Sequence, residues 1–339
     1  MEQKLFVGID ISKLTVDVSV LQISNLKETH YKQFENTKAG YKEMQKWILS
    51  FAKFTKEEAL FCMENTGVYS LLFSILLNDE SYFIWVENPL EIKKSLGMQR
   101  GKSDKIDSLK IAEYAFRFRD KAKRFKMPSK ILFALKDLEA YRQRLVKAKM
   151  MLQQSSHELF EYNASAKYIH QSSTKIINEF DKAIALIEGK ITFFIKEDEE
   201  LKKVYDLAIS VKGIGMQTAI YMLIHTQGFT TFTNSRQFAC YCGVAPFEHT
   251  SGTSVKGKTR VSHMANKKLK SLLYMCARTA VQHDTELKAY YERKIAEGKK
   301  ENCVINMVKN KLISRVFSVV QRGDKFMNLE DYKASKQVA

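Results

Sequence analysis

Proline is scarce in this chain, with three residues in 339, at positions 89, 128 and 246. Together with 45% hydrophobic residues, that scarcity excludes extensive disorder and favours a helix-rich globular protein. Cysteine is sparse and odd in number: Cys62, Cys240, Cys242, Cys276 and Cys303 show no C-x-x-C pairing and no histidine in zinc-finger register. A disulfide framework and a structural zinc site are thereby excluded, and buried reduced thiols are expected. No apolar run reaches bilayer length; SLLFSILL at 70–77 reads as a core helix. The opening residues, MEQKLFVGIDIS, enter a strand pattern without the charged and apolar regions of a signal peptide. A cytoplasmic protein with no membrane partner is expected.

The most telling absence is local. Between Glu248 and Asp284 there is no acidic residue, while Lys256, Lys258, Arg260, Lys267, Lys268, Lys270 and Arg278 all fall inside. Such a segment repels itself unless a polyanion lies on it. The whole chain carries a net charge of +17, unevenly spread. Residues 1–90 hold 9 Lys and Arg against 12 Asp and Glu, a net of −3, which leaves +20 for the remainder. An acidic first domain followed by a strongly basic body points to nucleic acid as the partner.

At this length two or three domains are expected. Residues 4–12 and 15–23 alternate as strands, and 29–34 make a third. A helix over 38–53 follows, then a buried strand ALFCME at 59–64, a helix at 66–79 and a strand at 82–87. A basic helical stretch and a helix over 103–119 complete the pattern. Antiparallel strands followed by β-α-β alternation describe a mixed α/β sheet. That order is the one a ribonuclease-H-like fold has.

Asp10 lies within the first strand and Glu64 at the end of the fourth, where chemistry collects in α/β sheets. Asp104 and Asp107, at i and i+3, share a helix face. Helix capping explains Asp104 equally well, since Ser103 precedes it. Asp10 tips the balance, because a carboxylate in an apolar strand is costly to bury without a partner or ion. The four acids together have the residue types of a Mg²⁺ site, with Mn²⁺ as the substitute metal.

From Ser129 to about Lys203 the only glycine is Gly189, and an apolar stripe at helical spacing runs through residues 131–162. A second helical run is expected over 173–203 after a break at 163–172, giving an antiparallel arm with a role in dimerisation. In LAISVKGIGMQTAIYMLIH the residues Lys212, Gly213 and Gly215 form the turn of a helix-hairpin-helix able to approach a phosphate backbone. A plain helix C-cap explains the same glycines. Ser251, beside Gly252, is expected on a loop, where a turn role is the ordinary one. His249 and His263 are expected to be exposed. A helix from Met264 should bury Leu269, Leu272, Leu273 and Met275, and a last amphipathic helix is expected over 302–321.

GIDISK, ENTGVYS, KSDKIDSLKIAEYA, SVKGIG and GVAPFEHTSGTSVKGK together resemble the DEDD transposases of insertion sequences, a family that includes bridge-RNA-guided recombinases and Piv-type DNA invertases. The resemblance covers nearly the whole chain. It implies an α/β plus α architecture: a RuvC-like domain over 1–126, a coiled-coil arm over 127–203, and a mostly helical transposase domain over 204–339. By position, Asp10, Glu64, Asp104 and Asp107 would be the metal-binding acids and Ser251 the nucleophile that forms a phosphoserine-linked strand. Lys212, Gly213, Gly215, Gly252, Lys256, Lys258, Arg260, Lys267, Lys268 and Lys270 would contact nucleic acid. The family implies target and donor DNA as partners, a structured guide RNA, and acids and serine meeting across subunits in a dimer of dimers at the nucleoid. The chain departs from the pattern at Ala265, where glycine is usual, and at Lys270, where arginine is usual and would offer a bidentate fork. Three other readings stay open on the residues alone: a hydrolytic junction nuclease, an invertase without guide RNA, and a non-catalytic nucleic-acid-binding protein.

Overall fold

The computed structural model describes residues 3–51, 54–65, 67, 69–95, 97, 103–158, 165–251 and 255–328. Two compact units divide the chain, Met1–Met127 and Pro128–Ala339.

The first unit contains β1 (Leu5–Ile11), β2 (Thr15–Gln22), β3 (Asn25–Glu35), α1 (Lys38–Leu49), β4 (Ala59–Glu64), α2 (Leu71–Asp79), β5 (Phe83–Glu87), α3 (Pro89–Ser95) and α4 (Asp104–Arg117). Its five-stranded sheet has the order β3-β2-β1-β4-β5. The pairs β1/β2 and β2/β3 are antiparallel, and β1/β4 and β4/β5 are parallel. Period-2 alternation sorts the side chains into two layers. Val7, Ile9, Val16, Val18 and Phe61 pack with Tyr41, Met44 and Ile48 of α1 and Phe73 and Leu77 of α2. Phe6, Leu21, Leu60, Cys62 and Trp85 pack on the other side with Ile111, Ala112 and Ala115 of α4. Helices on both faces explain why β4 is a continuous apolar run instead of an alternating one.

Three boundaries differ from the sequence expectation by four residues or more, the first being the end of α1, which stops at Leu49 and not at 53, with 52 and 53 outside the described set. β3 begins at Asn25, because a tight turn pairs Gln22 with Asn25. Its early residues are exposed and, Leu26 apart, polar, so they carry no alternation signal. α2 begins at Leu71, and residues 66 and 68 lie outside the described set.

The second unit holds α5 (Lys130–Glu158), α6 (Ala166–Glu197), α7 (Glu199–Ser210), α8 (Met216–Thr226), α9 (Ser235–Tyr241), the ribbon β6 (Pro246–Ser251) and β7 (Val255–Val261), α10 (Lys267–His283), α11 (Thr285–Ala296) and α12 (Glu301–Arg322). Arg142 pairs with Glu188 at 2.7 Å and Lys149 pairs with Asp181. The partner number falls as the first rises, so α5 and α6 run antiparallel. α6 starts at 166, seven residues earlier than expected, and stops at 197, where Asp198 caps α7 by accepting from Leu201 N at 3.0 Å. The helical pair does not stand free at its base. Leu132, Leu135, Ile191 and Ile195 merge with Leu201, Ile220 and Leu223. The main core gathers α7 to α12 around Val211, Met222, Phe238, Leu273, Ile313 and Val316. On α10 the buried stripe is Leu269, Leu273, Cys276 and Ala280, at spacings of four, three and four; Met275, expected inside, is exposed. Among the thiols, Cys62, Cys242 and Cys276 are buried as expected, but Cys303 is exposed.

Glu139 of α5 is 3% exposed and neither carboxylate oxygen has a hydrogen-bond partner. The nearest cation, Arg142 at 3.7 Å, is engaged with Glu188. Burial raises the Glu139 carboxyl from its ordinary 4.5 to about 7, against the opposing charges of Arg142 and Lys268. A folded pKa above the unfolded one means stability that is full below about pH 4.5 and lost as the pH rises through 7. Glu139→Gln should therefore gain ~2–3 kcal/mol over wild type at pH 8 and almost nothing at pH 4.5. Urea unfolding followed by helical circular dichroism at the two pH values measures the difference; equal gains at both would contradict a buried carboxyl.

Candidate active site

One carboxylate from each of four strands falls on a single row across the first sheet. Asp10 of β1 pairs with Asp17 of β2. The parallel register Gly8↔Cys62 and Ile9↔Met63 brings Glu64 alongside Asp10 at the strand end. Glu64 in turn pairs with Glu87 of β5. Alternation puts this row on the same face as Gly8, Cys62 and Trp85, the face covered by α4.

Gly8 sets how close α4 comes. A Cβ at this position would lie 2.2 Å from both Ala112 N and Ser108 O, so the helix backbone rests directly on the strand. Ser19 Oγ and Ser108 Oγ meet at 2.8 Å in the same buried seam. The helix starts at Asp104, capped by Ser103, whose hydroxyl accepts from Ile106 N at 3.3 Å. Asp104 and Asp107 in its first turn are thus held near the row. Asp10 bears the effect, its carboxyl pushed up to about 6 by burial first, then by Glu64, Asp107, Asp104 and Asp17. Burial and Asp107 also push Glu64 up, and Lys110 opposes this. Lys110 itself holds Asp107 at 2.7 Å.

The structure therefore brings Asp10, Glu64, Asp104 and Asp107 into one electrostatic neighbourhood, and adds two residues absent from the sequence reading. Asp17 is buried and accepts from Tyr31 Oη at 2.5 Å and Gln33 Nε2 at 3.1 Å. Glu87 accepts from Tyr114 Oη at 3.3 Å and from Asn88 N at 2.7 Å. Asp17 could have been found from the short β1–β2 turn, which pairs positions 10 and 17. Glu87 ends a buried strand just as Glu64 does. Among the described residues no three His, Cys, Asp or Glu side chains converge tightly enough to hold a metal ion as they stand. The donor set nonetheless fits a hard divalent cation: it is all carboxylate, partly buried and self-repelling, which such a cation would relieve.

In the second unit, Ser251 is not on a loop. It closes β6 and pairs with Val255 of β7 in an antiparallel ribbon. The ribbon was missed because β7, VKGKTRV, has no apolar alternation. Its register contains a bulge: Phe247 pairs with Arg260 and His249 with Gly257, so two steps on β6 match three on β7. Lys258 and Thr259 together stand opposite Glu248, and Arg260 comes opposite Phe247. A cavity of about 520 Å³ opens here, lined by Phe247, Glu248, Gly257, Lys258 and Arg260 among others. Lys258, Arg260, Lys267 and Lys268 are exposed and Lys270 is half-buried; Gly252 lies outside the described residues, and Lys256 lies on β7. His263 is exposed.

Between α7 and α8, Lys212 is exposed and Gly213 has φ of +94°. A Cβ on Gly213 would meet Ala280 Cβ at 2.7 Å and Cys276 O at 2.9 Å, so this glycine is needed for packing on α10. Gly215 faces open space at the start of α8, where no side chain of the N-cap closes the helix and its own amide donates to Cys276 Sγ.

Comparison with known proteins gives two family matches. The first covers residues 7–162 and is a transposase model of the DEDD, IS110 type. The second covers residues 205–292 and is described as the transposase IS116/IS110/IS902 family. The pilin gene-inverting protein of Moraxella bovis is 25% identical over 329 residues, 95% of this chain and 98% of the relative. The protein of the same name in Moraxella lacunata matches over the same shares at 25%. The transposase for insertion sequence element IS1111A of Coxiella burnetii is 24% identical over 45% of this chain and 41% of its own length. Among the described residues no helix is long and apolar enough to cross a membrane.

Proposed function

The chain belongs to the DEDD transposases of IS110-type insertion sequences, enzymes that cleave and rejoin DNA, and on that premise we propose that it works through a serine nucleophile with the help of its acidic row. The observation that carries this is Asp10, hemmed by Asp17, Glu64, Asp104 and Asp107 and raised to about 6. A fold built only for stability gains nothing from crowding carboxylates so closely.

In this reading residues 1–126 form a ribonuclease-H-like, RuvC-like domain, 127–203 a coiled-coil arm and 204–339 the transposase domain with its helix-hairpin-helix. Ser251 Oγ attacks a DNA phosphorus, losing its proton as the new O–P bond forms. The bond from phosphorus to one deoxyribose oxygen breaks, and that oxygen leaves as a hydroxyl. Attack on the phosphoserine by another DNA hydroxyl reverses the exchange, so strands rejoin without a nucleotide triphosphate. Asp10, Glu64, Asp104 and Asp107 would hold Mg²⁺ or Mn²⁺, which when bound supplies charge stabilisation at the phosphodiester oxygens. Asp17, fixed by Tyr31 and Gln33, adds its charge beside Asp10. Lys212, Gly213, Gly215, Gly252, Lys256, Lys258, Arg260, Lys267, Lys268 and Lys270 grip phosphates, and a structured RNA selects target and donor sites by pairing in a homo-oligomer.

The test is covalent trapping. Protein expressed with its native flanking DNA is mixed with labelled element-end DNA and Mg²⁺, denatured, and examined for retained label. Wild type should retain it and Ser251→Ala should not. Free cleaved DNA from both proteins, with no adduct, would instead establish a hydrolytic nuclease. Inversion without a guide RNA is a second reading, favoured by the inverting relatives that match along nearly the full chain. Nuclease removal of co-purified RNA separates the two: adduct formation that survives it belongs to an unguided invertase.

A further inference from the structure

Among the described residues, Lys309 of α12 is the single lysine or arginine to be buried, at 5% exposure. The other buried charged groups of this unit have opposite charges at hand: Asp284 receives Arg315 at 2.7 Å, and Glu139 has Arg142. Among the described residues Lys309 meets neither a carboxylate nor a hydrogen-bond acceptor. Its ammonium lies 5.9 Å from the centre of the Tyr274 ring, and the charge that acts on it is a second cation, Lys270 of α10. Burial, with Lys270 adding to it, pushes the Lys309 ammonium down to about 8. Burying one ammonium next to another, unpaired, is unfavourable unless an anion joins them.

The location says which anion. Lys270 Cδ lies 3.7 Å from where a Cβ on Gly243 would be, and Asn306, one turn before Lys309, donates to Val244 O at 2.8 Å. Both ammoniums therefore sit at the root of the β6–β7 ribbon. The chain supplies no acid between Glu248 and Asp284, so α10 carries no counter-charge before its C-cap. Tyr274, 38% exposed, and half-buried Lys270 are the neighbours of Lys309 on α10. Seven residue steps lead from Val244 to Ser251, a reach of at most about 23 Å along a strand, which is less than one turn of duplex.

We propose that Lys309 and Lys270 form a binding site for a non-scissile DNA phosphodiester at the root of the ribbon, setting the register of the strand presented to Ser251. The proposal rests on the reading that this unit binds DNA, and its test keeps the two apart. All measurements use the full chain carrying Ser251→Ala, so that no chemistry occurs. Lys309→Met keeps the apolar stem and deletes the charge. It should raise the melting temperature, lower affinity for duplex DNA about tenfold, and reduce the slope of log K against log salt by about 0.9, one phosphate contact. Lys270→Met should do less alone, and the double variant should lose less than the sum of the two. Unchanged affinity and slope in Lys309→Met, with tight binding by the parent, overturn this site and leave the DNA-binding reading intact. A parent that does not bind DNA overturns both. A loss confined to co-purified RNA, with DNA affinity kept, overturns the DNA assignment. A melting temperature that falls together with affinity marks Lys309 as a packing residue and also overturns it.

Discussion

Gly8→Ala is expected to lose ~3 kcal/mol or more of stability in the first unit and at least a hundredfold of DNA cleavage, although it adds a single methyl group. The added carbon would sit 2.2 Å from Ala112 N and from Ser108 O. Both are backbone atoms inside α4, so no side chain can swing aside. The helix must lift, and lifting it carries Asp104 and Asp107 away from Asp10 and Glu64. The two tryptophans, Trp47 and Trp85, both lie in the first unit, so their fluorescence during urea unfolding reports that unit. An alanine variant with wild-type unfolding and wild-type cleavage would show that α4 does not need this contact.

Asp10→Asn should separate stability from function in the opposite sense. Asp10 stands between Asp17 and Glu64 with Asp104 and Asp107 nearby, and burial and these charges disfavour its ionised form. Removing the charge should raise stability without divalent cations by about 1 kcal/mol, the shift being discounted for partial solvent access. Cleavage should fall by a factor of 10³ or more, the scale expected when an electrostatic partner of the reacting phosphate is lost. Mg²⁺ titration supplies the cross-check. Wild type should melt higher as Mg²⁺ is added, because the ion binds only the folded state, and the variant should respond far less. Equal Mg²⁺ responses would remove Asp10 from the ligand set and leave it a strand-end carboxylate.

Much of the first unit was legible because burial writes itself into alternation. The apolar residues of β1 and β2 specify two opposed layers, and the unbroken run at 59–64 specifies a strand covered on both sides. Asp10 stood out there because it interrupts such a pattern. Asp17 and Glu87 did not, because their place in the row depends on register between strands, which no single segment states. Gly8 was silent for a related reason: its neighbour is a helix about a hundred residues away. In the second unit, exposed and cationic β7 offers no apolar periodicity, so Ser251 read as a loop residue. Lys309 hides within an otherwise regular amphipathic helix, where a lysine on the core-facing side is visible only once α10 is laid against it.

The bulge opposite Glu248 has a consequence for sequence change in the ribbon. Loss of one residue at Lys258 or Thr259 would remove the bulge yet leave Phe247 opposite Arg260, now in a plain ladder without the added local twist. A single deletion between Gly257 and Arg260 should therefore keep this pair. The extra residue serves the curvature of the ribbon, and a relative one residue shorter here would keep an aromatic and a cation side by side on a straighter one.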